Sequence, residues 1–308
     1  MRRDALRWFF RRAALCAAPL VGAGCSDAVC SSPAFTVTSE LIATDGGACD
    51  PSSCYSGSPA CRVLADSCTP LATDAGVVAL CHFPATEYLC NRTCTGRRPE
   101  GLVAVDARPG DTALGAHFAR MAHLEAASVD AFHRLADELA AAGAPSLLVD
   151  AAVAAARDEV RHARAAGAIA ARFGATPAPV HRAPFAPRSI EELAIENEVE
   201  GRVFETFGAG LAVFQARHAG DPSIRGALGA IARDEQRHAE LAWSVAAWAR
   251  PLLSEDGRVR VDAARRAAVA QLAAGLAGEP AGELRTVAGV PREAEARALL
   301  TAARGLWS

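Results

Sequence analysis

The feature that most constrains this chain is a six-residue motif that occurs twice, Asp158-Glu159-Val160-Arg161-His162-Ala163 and Asp234-Glu235-Gln236-Arg237-His238-Ala239. Each copy holds a Glu and a His three residues apart. On an α-helix, positions i and i+3 share a face about one turn apart, so the carboxylate and imidazole of each copy can grip one transition-metal ion together. Each copy is also preceded by a Glu on an apolar helical stripe. Glu125 stands 34 residues before Glu159, and Glu200 stands 35 residues before Glu235. The chain therefore reads as two related helix hairpins, each offering Glu…Glu-x-x-His. Together, Glu125, Glu159, His162, Glu200, Glu235 and His238 make the ligand set of a carboxylate-bridged dinuclear metal site in a four-helix bundle.

The surrounding sequence predicts an all-α domain over residues 111–250. Alanine supplies much of the apolar content, and it favours helix and close helix approach. Helix one is expected from Asp111, as N-cap, to Ala142, with Phe118, Met121, Glu125, Val129, Phe132, Leu135 and Leu139 on one stripe. Gly143-Ala144-Pro145 ends it. Helix two is expected from Ser146 to Phe173, with Gly174 as its stop. The short turn between them demands antiparallel neighbours. Four prolines between Ala175 and Arg188 exclude a continuous helix there. At about 3.1 Å per residue, such an extended stretch reaches roughly 43 Å, the length of a helix of about 28 residues. It can cross the full bundle from one hairpin to the other. Helix three starts at Ser189, with Glu192 completing a capping-box pattern, and carries Leu193, Glu200, Phe204, Phe207, Leu211 and Phe214 inward. After the turn Asp221-Pro222-Ser223, helix four carries Leu228, Ile231, Glu235, His238, Leu241, Ala242 and Val245 and ends near Arg250. Two further helices, near Val261–Ala277 and Pro291–Leu306, are expected to pack on the bundle within residues 251–308, with no chemistry of their own.

Four carboxylates in an apolar stripe are costly to bury without positive charge to offset them. Two di- or trivalent ions supply it, and carboxylate with imidazole suits iron, or alternatively manganese. The competing reading pairs these Glu with Arg161 and Arg237 or turns them to solvent, as for any chance Glu-x-x-His. Two copies with matched upstream Glu weigh against it. Metal-bound His usually passes its other ring N–H to a carboxylate or carbonyl. Asp158 is therefore expected to orient His238, and Asp234 to orient His162, with Arg161 and Arg237 neutralising the two Asp. Glu196, Glu198 and Glu205 fall beside the stripe and read as a solvated face, with Glu205 a candidate for the surroundings of the ligands. Asn197 lies one turn before Glu200 and can hydrogen-bond a ligand. His117, His123 and His133 read as solvent-facing or satisfied core histidines.

The first 95 residues differ in kind. Five arginines before residue 13 precede a short apolar run that ends in Leu20-Val21-Gly22-Ala23-Gly24-Cys25. This run resembles a bacterial lipoprotein box, although Gly22 stands where Leu is usual. Residues 1–25 are expected to be an export signal, with lipid on Cys25 as the one membrane attachment; cleavage near Ala28 is the alternative. All 10 Cys precede residue 95. Eight remain after Cys16 and Cys25, with no C-x-x-C pair, so residues 26–95 are expected to be an irregular module stapled by disulfides. Residues 96–110 then form a linker. The expected location is the periplasm or cell envelope. The 32 basic residues are all Arg and the net charge is −3, which points away from nucleic acid.

Residues 111–250, with the doubled Asp-Glu-x-Arg-His, resemble the ferritin-like di-iron carboxylate superfamily, which includes rubrerythrins, ferritins and bacterial multicomponent monooxygenases. The resemblance implies a ferritin-like four-helix bundle with a long crossover between helices two and three. It implies two iron ions held by the six residues named first, with Glu159 and Glu235 bridging. Departures narrow the reaction. The chain has no rubredoxin-type C-x-x-C knuckles. Its two tyrosines, Tyr55 and Tyr88, lie in the Cys-rich region rather than near the motif. The function implied is an exported di-iron oxidoreductase reacting with O2 or peroxide and served by an electron donor that the sequence does not identify. The alternatives are a metal-binding surface protein without turnover and a dimanganese catalase-like enzyme.

Overall fold

A computed structural model describes residues 2–13, 39–42, 55–56, 63–64, 67–73, 76–82, 97–99, 102, 111–181, 187–276 and 278–307. The chain divides into two compact units, residues 30–89 and residues 1–29 with 90–308.

The second of these units is helical. Its first long pair is α2 (Ala113–Ala141) and α3 (Ser146–Arg172). α2 begins one residue later than Asp111 implied: Thr112 is the cap, its Oγ1 accepting from Gly115 N at 3.0 Å. Gly143 and Gly174, at φ 71° and 79°, supply the left-handed turns that end the two helices. From there the crossover leaves along α2, where the Ala178 carbonyl lies 3.1 Å from His123 Nδ1. The next rod opens at Ser189 with both halves of a capping box in place. It is not one helix: α4 (Ile190–Glu196) passes into a π-helical segment, Asn197–Glu205, and then into α5 (Thr206–His218). Asp221 caps α6 (Pro222–Ala249), with Pro222 in the first turn, where its missing N–H costs nothing. α3 packs on both α2 and α6, and α5 on α6.

Apolar layers fix the height of the functional residues. At one end, Phe118 of α2, Ile169 of α3, and Leu228 and Ile231 of α6 share a buried cluster. At the other, Phe132, Leu135 and Leu139 of α2 meet Ala152 and Ala155 of α3 and Leu241 and Val245 of α6. Glu125, Glu159 and Glu235 fall between these layers on their own helices. That ordering requires α2 and α3 to run in opposite directions, as the short turn between them demands.

Beyond α6 come α7 (Glu255–Ala274), the short α8 (Gly282–Thr286) and α9 (Glu293–Trp307). The sequence foresaw two of these three, with α7 expected six residues too late. Residues 2–13, inside the stretch expected to be an export signal, form α1 (Arg2–Ala13). Leu6, Phe9, Phe10 and Ala13 are buried against Phe207, Leu211 and Phe214 of α5 and Leu299 and Leu300 of α9. Gly210 makes room for them, since a Cβ there would lie 2.6 Å from the Phe9 ring. Each of the two phenylalanines contributes about 2 kcal/mol of apolar burial.

The Cys-rich unit is not wholly irregular. β1 (Ser39–Ile42), β4 (Ser67–Thr73) and β5 (Gly76–His82) make an antiparallel sheet in the order β1-β5-β4, and β2 (Tyr55–Ser56) pairs with β3 (Val63–Leu64). Cys68 and Cys81 are register partners across β4 and β5. The other expected cysteines of the module lie outside the described residues, as does Cys25.

Candidate metal centre

The doubled motif meets itself across the α3–α6 interface. Glu125 from α2, Glu159 and His162 from α3 and Glu235 from α6 each present one ligand atom, all within 4.8 Å of one another. His162 Nδ1 lies 3.5 Å from Glu125 Oε2, 3.7 Å from Glu159 Oε2 and 3.3 Å from Glu235 Oε1. His238 completes the other half: its Nδ1 is 3.0 Å from Glu159 Oε1 and 3.8 Å from Glu235 Oε1. Glu159 and Glu235 thus stand between the two imidazoles, whose ring centroids are 5.8 Å apart. All five side chains are buried.

The outward ring nitrogens point the other way, to the Asp that opens the opposite copy of the motif. His162 Nε2 lies 3.2 Å from Asp234 Oδ2, and His238 Nε2 lies 3.3 Å from Asp158 Oδ2. Arg161 bonds to Asp158 and also reaches Asp234 at 3.2 Å. Arg237 reaches Asp158 at 2.9 Å and Asp234 at 2.8 Å. The result is a crossed ring of two Asp and two Arg that closes one side of the cluster. An acceptor on Nε2 fixes the imidazole so that Nδ1 is the atom turned inward.

Glu200, expected from the sequence among the ligands, does not join this group. Its carboxylate is held by Arg98, with Nε to Oε2 at 3.1 Å and Nη2 to Oε1 at 3.0 Å. The third rod also carries Glu205, 1% exposed and with neither carboxylate oxygen bonded. Its electrostatic neighbours are Arg97, His238, Glu235 and Glu159. The cause of the misassignment is the π-helical segment. A π turn closes i to i+5 instead of i to i+4, so each turn takes an extra residue. The 3.6-residue phase that put Glu200 inward and Glu205 beside the stripe does not hold across it. The wide segment is fitted to α6: Gly201 has no Cβ, and one there would lie 2.7 Å from Ala242 Cβ. Asn197 Nδ2 donates to the Ala242 carbonyl at 2.9 Å, so this side chain serves the helix and not the ligands.

Sequence reasoning also missed Arg97. It is fully buried, with Nε and Nη2 on the Glu196 carboxylate at 2.8 and 2.6 Å and Nη2 also 3.1 Å from Asn197 Oδ1. Glu196 and Glu198 are therefore not a solvated face. Glu198 is likewise buried and bonds Arg202 at 2.6 Å. No periodicity signal announces an arginine in a linker, and only its position next to a bundle of buried acids has meaning.

The electrostatics are those of a site short of cations. Burial, and then the Glu159 carboxylate, push Glu125 well above the usual carboxylate range. Burial lifts Glu205 well above it too, against the pull of Arg97 and His238. Burial alone would strip the proton from His162; contacts with Glu125, Glu159 and Glu235 reverse this and hold it far above its ordinary value. His238 is raised in the same way by Asp158 and Glu159. Yet the donor atoms themselves are not satisfied. Both oxygens of Glu125, Glu159, Glu205 and Glu235, and Nδ1 of His162 and His238, have no hydrogen-bond partner. The two His Nδ1 atoms approach oxygens of Glu125, Glu159 and Glu235 at 3.0 to 3.8 Å without alignment. Each such buried orphan costs about 1–3 kcal/mol. Oxygen and imidazole donors converging with unused lone pairs are the donor set of a hard or borderline metal ion, and the residues present fit one.

No family model, no curated protein and no solved structure matches this chain. What stands is a helical fold with a buried Glu/His cluster able to hold a metal ion, an arrangement compatible with a ferritin-like fold.

Proposed function

We propose that the helical unit is a ferritin-like four-helix bundle carrying a dinuclear iron centre that reacts with O2 or peroxide. Glu125, Glu159, His162, Glu205, Glu235 and His238 would be its ligands. The observation that carries this reading is the set of four buried Glu and two buried His whose inward atoms have no partner. Bound iron would supply one-electron redox chemistry toward O2 or peroxide. The protein's own part is more specific. Asp158 and Asp234 keep each imidazole in one orientation, and Arg161 and Arg237 hold those Asp ionised. Phe132, 5.0 Å from the His238 ring, and the apolar layers above and below exclude water. Any protons on Glu125, Glu205, His162 and His238, whose pKa values are all pushed upward, would leave when metal enters.

Loading the metal-free protein with ferrous ion under argon is expected to take up two ions per chain, with protons released and weaker uptake as pH falls. Admitting O2, or separately peroxide, is expected to reoxidise the iron rapidly. Manganese retention with peroxide dismutation would favour the catalase-like alternative. Stoichiometric but inert metal would favour the non-catalytic one. Absence of any stoichiometric transition metal would sink the reading.

The same proposal places the protein outside the cytoplasm with a disulfide-stapled N-terminal module. No helix among the described residues is long and apolar enough to cross a membrane. Lipid at Cys25 would require removal of residues 1–24, α1 among them, so N-terminal sequencing of the native protein separates that outcome from one in which α1 stays packed on α5 and α9. Cross-strand partners lie about 4.5–5.5 Å apart at Cα, within the range a disulfide spans. Cys68–Cys81 is therefore the first bridge expected in a non-reducing peptide map.

A further inference from the structure

The π-helical segment is the one part of the third rod that departs from the α-helical path, and it delivers Glu205. A π turn is rare and persists only where its surroundings over-determine it. Three buried side-chain bonds tie this one to α6 and α9. Asn197 at its start donates to Ala242 O. Thr206, the residue after its end, accepts at Oγ1 from Trp243 Nε1 at 3.1 Å. Both of those tie it to α6, its partner within the hairpin. The third comes from elsewhere. Trp307, at the end of α9, donates from its indole Nε1 to the backbone carbonyl of Arg202 at 2.7 Å.

Arg202 lies three residues before Glu205, in the body of the π-helical segment. Its side chain is fixed as well, bonded to Glu198 at 2.6 Å and lying over the Trp243 ring at 3.8 Å. Trp307 is 5% exposed and shares an apolar cluster with Val203, Phe204, Phe207, Leu299 and Leu300. The last helix of the chain thus reaches the backbone of the segment that presents Glu205, 105 residues away in sequence. We propose that Trp307 is a positioning residue: its indole N–H fixes the Arg202 carbonyl in the wide turn and thereby keeps Glu205 turned toward the Glu/His cluster. The proposal rests on the reading of that cluster as a metal centre for its consequence, though not for its geometry. The C-terminal helices then serve the site and not only the stability of the fold.

Trp307→Phe keeps an aromatic ring in the pocket and deletes the donor. Loss of one hydrogen bond is worth about a tenfold change in a local equilibrium. In the full-length metal-free chain, amide exchange in a peptide covering residues 197–206 is expected to quicken about tenfold, with α3 unchanged. Cobalt(II), used as a spectroscopic probe, is expected to bind the weaker of its two positions about tenfold less tightly. Leu300→Ala, which loosens the same apolar cluster but leaves the indole bond, is expected to lower thermal stability without moving cobalt affinity. If Trp307→Phe does not fold, benzothienylalanine at position 307, a tryptophan isostere without the N–H, serves in its place. Wild-type exchange and cobalt affinity in either variant would overturn the proposal. Failure of the wild-type protein to take up cobalt would overturn the metal reading instead, and the exchange measurement would still decide the role of Trp307.

Discussion

The two hairpins carry the same motif and reach the same place by different backbones. In the first, α2 runs as an unbroken 29-residue α-helix, and Glu125 sits on its regular inward stripe. In the second, the matching rod breaks into α4, a nine-residue π-helical segment and α5, and the buried carboxylate with neither oxygen bonded is Glu205. The first rod is specified by periodicity alone. The second needs more: a close approach of Gly201 to Ala242 within its hairpin and, from outside it, Arg97 from the linker and Trp307 from α9. A repeat in sequence is therefore a repeat of chemistry at the motif and not of the path between motifs.

The most severe way to test that contrast is to remove the two candidate carboxylates of the second rod in turn. Glu205→Ala is expected to weaken iron or cobalt binding by well over about 100-fold, beyond the range typical of residues outside the ligand set. Glu200→Ala is expected to leave stoichiometry and affinity unchanged, because it removes only a partner of Arg98. Glu125→Ala in the first hairpin should match Glu205→Ala. Isothermal titration with cobalt, backed by elemental analysis, reads all three. The reverse ranking of Glu200 and Glu205 would restore the simple repeat.

This contrast marks where the sequence was legible. Within a motif the period is set by one helical turn, so Glu159 with His162 and Glu235 with His238 could be placed on one face from spacing alone. The crossed arrangement of Asp158 with His238 and Asp234 with His162 follows from the same turn, because the residue before each Glu projects toward the neighbouring helix. Glu200 was chosen because 35 residues matched 34, and equal spacing presumes equal helical pitch. Nothing in local composition marks the wide turn. Gly201 is the nearest signal, and a lone Gly in a helix has several explanations. In the Cys-rich unit turn residues mask the strands, and in α1 five arginines mask the helical spacing of Leu6, Phe9, Phe10 and Ala13.

A second asymmetry lies in α2, whose His117 is buried with neither ring nitrogen bonded. Burial, and then Arg120, push its pKa from the ordinary 6.5 down to about 4. The unfolded chain therefore takes up a proton between about pH 6.5 and 4 that the folded chain refuses, and stability falls as pH falls through that window. A shift of that size corresponds to about 3 kcal/mol. His117→Phe is expected to remove most of this acid sensitivity, leaving the second hairpin untouched. Denaturant midpoints at pH 7 and pH 4.5 measure it. An unchanged pH dependence would show that the imidazole is hydrated or bonded in solution.

The outer ring of the site should behave symmetrically, in contrast to the rods. Asp158→Asn and Asp234→Asn each free one imidazole and are each expected to weaken metal binding by about 10–100-fold. Burial works against ionisation of Asp158, but His238 and Arg161 hold its carboxyl below the usual range; for Asp234 His162 and Arg237 do the same. Arg161→Ala and Arg237→Ala should cost less, since both side chains are more than half exposed. Unequal effects of the two Asp variants would mean that the asymmetry of the rods extends into the ring.

The smallest expected effect concerns how each rod begins. Thr112 caps α2 through one bond, Gly115 N to Oγ1 at 3.0 Å. Ser189 opens the second rod with a reciprocal pair, Glu192 N to Ser189 Oγ at 3.3 Å and Ser189 N to Glu192 Oε2 at 2.7 Å. Replacing either cap by Ala costs about 1 kcal/mol, a shift of a few degrees in melting temperature for a unit of this size. The informative part is whether the loss spreads. A cap acts on the first turn, and α4 places seven residues between Ser189 and the π-helical segment. Asn197, Arg202 and Thr206 are pinned by α6 and α9 rather than by the helix below them. Ser189→Ala is therefore expected to lower the melting temperature while cobalt affinity stays the same. If affinity falls along with stability, the wide turn is being held from its own start, and the two rods differ less in how they are supported than their backbones suggest.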